Sequence, residues 1–216
     1  GHDYIKDRGF AFEENLIENY GNGFDKPLSF PKESESQAEI PQMIFAPTII
    51  EDGRRMLIST QPLGFLSKTD RHGISENVEY IKLLKEQGAM DTRMASVLRM
   101  NATFPYVLPM VSLPTNPETT IMDAGLRDNY GGKLSIEYIV ELKRWIENNT
   151  SGVVIVQIRD LKKKGFRVDE HQNSIMQRLV TPIGNMSKNL FKTQDYDQEK
   201  MFRIVSDELN FPIDIF

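Results

Sequence analysis

Three consecutive stretches between residues 119 and 160, "TTIMD", "LSIEYIVELKRWIENN" and "SGVVIVQIRD", constrain the fold more than anything else in the chain. The first is a short apolar run that predicts a strand. The second repeats Ile136, Ile139, Val140 and Ile146 at helical spacing, with Ser135 placed to cap it and Asn148-Asn149 to end it. The third is an unbroken β-branched run of the kind that parallel sheets bury on both faces. Strand, helix, strand in this order predicts a βαβ unit with a right-handed crossover, and with it an α/β fold whose sheet is mostly parallel.

The remaining segments suit that class. Phe10, Phe12, Leu16, Ile17 and Tyr20 form one helical stripe that Gly21-Asn22-Gly23 stops, and a polar loop follows to about residue 41. Asp52-Gly53 between "PQMIFAPTII" and "RRMLIST" predicts a hairpin or two neighbouring strands. "SENVEYIKLLKEQG" reads as a helix capped by Ser75 and stopped by Gly88, and a second helix starts at Asp91 and ends before Pro105. "YVLPMVSLPTNPE" holds three prolines and cannot be a central strand throughout. Near the end, "SIMQRLVTPIGNM" predicts a short helix broken at Pro182. A last amphipathic helix places Met201, Ile204, Val205 and Leu209 on one side.

Composition narrows the chemistry. The 216 residues carry a net charge of -5, which supplies no drive toward nucleic acid. There is no cysteine, so thiolate nucleophiles, disulfides and cysteine-ligated metals are out of reach; His2, His72 and His171 are too few and too scattered for a histidine-rich metal site. No metal or other cofactor is expected. No apolar run approaches the roughly 18 to 20 residues that span a bilayer, and no signal peptide opens the chain.

Asp123, at the carboxyl end of the predicted strand "TTIMD", is the leading functional candidate, because the loops above strand ends are where α/β folds gather their chemistry. Gly125 would let the backbone turn and leave the carboxylate uncovered, and Asn129 would hydrogen-bond the loop in place. The alternative is purely local: Asp123 forms an Asx turn and Asn129 caps the next helix. A weaker third arrangement gathers Asp123, Asp128 and Asp160 around a divalent cation.

"RMNATFPYVLPMV" followed by "IMDAGLRDNYG", with "IPQMIFAPTIIEDGRRMLIST" upstream, resembles the C-terminal half of the patatin-like phospholipase catalytic domain over roughly residues 27 to 160. The resemblance implies a partial three-layer α/β/α fold over residues 1–165, lacking the N-terminal strands and nucleophile elbow, with residues 166–216 as a helical extension. It also implies a Ser-Asp dyad hydrolase acting on lipid acyl esters. Asp123 matches the dyad aspartate, which takes the proton of a serine, and Gly125 and Asn129 match positions that shape its loop. Ala124 stands where the family usually has Gly, and Gly131 where Pro is common.

The nucleophile is the missing part. A Gly-x-Ser-x-Gly elbow needs two glycines four apart around a serine, and no two glycines in this chain have that spacing. Ser75 and Ser135 read as caps, Ser34 and Ser36 lie in a charged loop, and Ser59 lacks the glycine frame. The glycine-rich oxyanion loop is absent as well. Truncation accounts for this better than decay, so the chain is expected to be inactive alone, with a non-catalytic scaffold as the competing reading. The run Arg159, Lys162, Lys163, Lys164, Arg167 reads as a solvated loop, with peripheral contact to an anionic lipid surface as the alternative.

Overall fold

The computed structural model describes residues 6–104, 107–158 and 175–216, with side chains in the last stretch from residue 192. The predicted basic run 159–167, Asp160 and the boundary expected near residue 165 lie outside the described residues. The chain is mixed α/β and divides into two compact units, residues 1–127 and 128–216.

In the first unit, α1 (Arg8–Tyr20) and α2 (Lys32–Ser36) precede β1 (Thr48–Ile49) and β2 (Arg55–Leu57). Then come β3 (Asn77–Glu79), α3 (Tyr80–Leu83), α4 (Met94–Ala102), β4 (Val111–Leu113), β5 (Thr119–Met122) and, from the same segment, α5 (Gly125–Asp128). The five strands form one sheet in the order β3-β2-β1-β5-β4. It is mixed, not mostly parallel: β1–β2, β1–β5 and β4–β5 are antiparallel, and β2–β3 is parallel. Connection length explains this. The Asp52-Gly53 turn, with Gly53 at φ 73°, can only return the chain antiparallel, whereas the long excursion from β2 to β3 leaves room for a crossover. Strand β4 is a proline-free stretch of three residues between Pro109 and Pro114, and it lies at the sheet edge.

One face of the sheet is covered by α4. Ile49, Met56, Ile58, Leu113 and Ile121 pack with Val97 and Met100 of that helix and with Leu28, Tyr80 and Leu84. The helix expected over 75–88 is mostly absent. Residues 77–79 are a strand against β2: Val78 and Ile81 are spaced for a helix, but Asn77 and Glu79 are buried on one face and claimed by the fold. Buried Asn77 accepts from Arg55 Nε at 2.8 Å and donates to Leu66 O, while Glu79 accepts from Leu63 N. Ser75 closes a local turn with Asn77 instead of capping a helix. The second helix starts at Met94, three residues after the expected Asp91, which sits in a 3-10 turn.

Helix α1 is attached by charge more than by its apolar stripe. Phe10, Phe12, Leu16 and Ile17 are only partly buried and Tyr20 is exposed, whereas Glu13 is 1% exposed. Glu13 accepts from Arg93 Nη2 and Ser96 Oγ at 2.9 Å and from Arg99 Nη1 at 3.3 Å. Asp7 caps the helix through Phe10 N and reaches Arg99 Nη2 at 3.3 Å. Gly9 admits the Arg99 guanidinium: a Cβ there would lie 2.0 Å from Arg99 Cζ. Burial disfavours the charged form of Arg93, but Glu13, with Asp25 and Glu14, outweighs it and holds Arg93 above its ordinary value.

The second unit holds α6 (Gly132–Glu141), α7 (Lys143–Asn149), β6 (Val153–Ile155), α8 (Ile175–Glu208) and β7 (Ile213–Ile215). The single long helix expected over 134–149 is split at Leu142, and Ser135 lies inside α6, donating to Gly131 O, so it is no cap. Strand β6 pairs parallel with β7 in a separate two-stranded sheet, so β5 and β6 do not form the expected βαβ unit. Nor is β6 buried on both faces. Val153 and Ile155 join Ile139, Ile146 and Phe211 in a core, while Val154 and Val156 point outward. Helix α8 continues through Pro182, and near its end Gln198 and Phe202 are the buried positions, with Ile204 exposed.

Candidate functional site

The β1–β5 ladder ends at the pair Thr48↔Met122, and Asp123 is the next residue. Its backbone is tied on both sides. Asp123 N donates to Thr103 O at 2.8 Å, and its carbonyl accepts from Thr48 Oγ1 at 3.0 Å. Ala124 N donates to Asn101 O at 3.2 Å. The loop leaving the strand therefore closes the carboxyl end of α4, whose last carbonyls have no partner within the helix.

The carboxylate is half-buried, and Oδ1 accepts from Gly125 N at 2.6 Å. This is the Asx turn of the local reading, and it does not conflict with a chemical role, because it consumes one oxygen. Among the described residues, no donor is hydrogen-bonded to Oδ2. Desolvation raises the Asp123 pKa above the ordinary value, opposed by the Gly125 N–H. A carboxylate of this kind is a stronger base than a solvated one once ionised.

Gly125 is brought to Asp123, though by a different device than expected. It is not among the glycines with a left-handed backbone; it is buried, opens α5, and contributes its N–H. Asn129 belongs to the second unit, where its N–H donates to Gln194 Oε1 at 3.0 Å. It is not the cap of the next helix. That role falls to buried Asp128, which accepts from Lys133 N and Leu134 N and from Gln198 Nε2 at 2.7 Å.

Of the serines weighed from sequence, Ser36, Ser59, Ser75 and Ser135 have hydroxyls engaged in local hydrogen bonds. Buried Ser59 accepts from Gln42 Nε2 and Gln61 N, and Ser36 donates to Glu33 O. No group of three acidic or histidine side chains among the described residues is placed to hold a metal ion, and Asp160 lies outside them. Among the described residues, no helix is long and apolar enough to cross a membrane. Sequence reasoning missed Thr48, Asn101 and Thr103, the residues that hold the Asp123 loop. The only signal was the polar pair inside "RMNATFP", at the end of a predicted helix.

The raised pKa has a consequence for stability. The folded state binds the Asp123 proton more tightly than the unfolded chain, so this contribution is full below the ordinary aspartate range and is lost as pH rises through the folded value. Asp123→Asn keeps an acceptor for Gly125 N and removes the buried charge. It is expected to melt higher than the parent near neutral pH, with the difference vanishing in acid below the ordinary aspartate range. Melting curves across pH that run parallel for the two proteins would contradict this.

Comparison with protein-family models, with curated proteins and with solved structures returns no match for this chain.

Proposed function

We propose that this chain is the portion of a patatin-like lipid acyl hydrolase that carries the general-base aspartate, within a three-layer α/β/α fold. The observation that carries the reading is the state of Asp123: at a strand end, one oxygen fixed by Gly125 N, the other without a hydrogen-bond donor among the described residues, the group half-buried. Oδ2 would take the hydroxyl proton of a serine as the serine oxygen attacks the ester carbonyl carbon. It would then return the proton to the departing alkoxide. The serine would sit on a Gly-x-Ser-x-Gly elbow outside residues 1–216, with a lipid acyl ester as substrate and no cofactor required. Peripheral contact with an anionic membrane fits such a substrate.

Hydrolysis of a p-nitrophenyl ester tests this in two forms of the protein. The 216-residue chain is expected to be inactive, since loss of a nucleophile costs roughly 10⁶-fold in rate. The chain expressed with the coding sequence that precedes it is expected to turn over. Enzyme-like turnover by the 216 residues alone would overturn the assignment; an inactive longer protein without the elbow would point to a scaffold.

A further inference from the structure

The register of β1 and β5 places Ala46 opposite Ala124, two residues beyond the last pair, Thr48↔Met122. In an antiparallel ladder every second pair exchanges N–H···O bonds, and Ile50 N does donate to Thr120 O, so Ala46 and Ala124 would be the next bonded rung. That rung is not made. Asn101 takes both of its donors: Oδ1 accepts from Ala46 N at 3.1 Å, and its backbone oxygen accepts from Ala124 N at 3.2 Å. The two strands are thus parted by one residue from the end of α4, at the position of Asp123. The Thr48 hydroxyl spans the start of the gap and holds the Asp123 carbonyl at 3.0 Å.

We propose that Asn101 and Thr48 are positioning residues for Asp123: Asn101 opens the ladder so that the chain can turn at the carboxylate, and Thr48 fixes the direction in which it turns. Thr48 is buried, and a fully paired ladder would instead have carried Asp123 onward in extended conformation. The rate part of this proposal rests on the acyl-hydrolase reading; the geometric part does not.

The test uses carboxyl-carbon NMR titration of the 216-residue chain, with the Asp123 resonance assigned by its loss in Asp123→Asn. Asn101→Ala and Thr48→Val are each expected to move the Asp123 midpoint down toward the ordinary aspartate range as the loop relaxes into water, and Thr48→Ser to leave it where the parent has it. An unchanged midpoint in both loss variants overturns the proposal, as does failure of both to show a cooperative melt, which would make them merely structural. In the longer protein, Thr48→Val is expected to lower kcat about 10-fold at unchanged KM, with Thr48→Ser restoring it. If Asp123→Asn leaves that activity intact, the hydrolase reading fails while the titration still decides the geometry.

Discussion

On the acyl-hydrolase reading, Asp123→Asn in a longer form of the protein that holds a Gly-x-Ser-x-Gly elbow is expected to lower kcat for ester hydrolysis by about 10⁴-fold or more, by analogy with single removals of the base or its orienting acid from a protease triad. The substitution is nearly isosteric and keeps an oxygen for Gly125 N, which donates to Asp123 at 2.6 Å, so the loop should persist. On the proposed acyl-hydrolase reading, what disappears is the group that would accept the serine proton. In a triad that work is divided between an imidazole and a carboxylate; a dyad leaves one residue to do it, and no second base can cover the loss. KM should change little, because the carboxylate contributes to the transition state and not to the grip on the acyl chain. The corresponding readout is kcat and KM for a soluble ester, alongside circular dichroism of both proteins. A rate within tenfold of the parent would remove Asp123 from the chemistry.

Glu13→Ala is expected to be the most damaging change to stability among the charged positions, at about 3–5 kcal/mol, the usual cost of removing one partner from a buried ion pair. Glu13 is 1% exposed and satisfies Arg93, Ser96 and Arg99 together. Without it, the Arg99 guanidinium stays wedged against the Gly9 backbone with Asp7 alone at 3.3 Å, and Arg99 is itself nearly buried. The apolar stripe of α1 cannot compensate, since its large side chains are at most partly buried. Glu13→Gln should cost less, because it keeps the acceptor and removes only the charge. Urea denaturation of the three proteins checks this; equal midpoints for parent and Glu13→Ala would mean that α1 contributes nothing to the cooperative unit.

Turn chemistry made some of this molecule legible without coordinates, and long-range pairing hid the rest. Asp52-Gly53 defines a hairpin within four residues, and Gly21 ends α1 with its N–H on Ile17 O, so both could be read locally. The strand at Asn77–Glu79 could not. Its apolar spacing suits a helix, and what decides for a strand is a parallel partner 22 residues away. The same holds for β6, whose β-branched run is chemically a two-faced strand but which, among the described residues, pairs with β7 alone. At the site, Asp123 and Gly125 were visible as a turn at a strand end. The residues that hold them, Thr48 at a separation of 75 and Asn101 at the end of α4, act through the tertiary fold, and the polar pair in "RMNATFP" is the one local sign of it.

The most direct measurement is mass-spectrometric mapping of the adduct formed when a fluorophosphonate probe is incubated with the protein carrying its preceding coding sequence. The account predicts one modified serine, framed as Gly-x-Ser-x-Gly and lying before residue 1, with labelling slowed by Asp123→Asn. An adduct on any serine within residues 1–216, or labelling that is indifferent to Asp123, would contradict it.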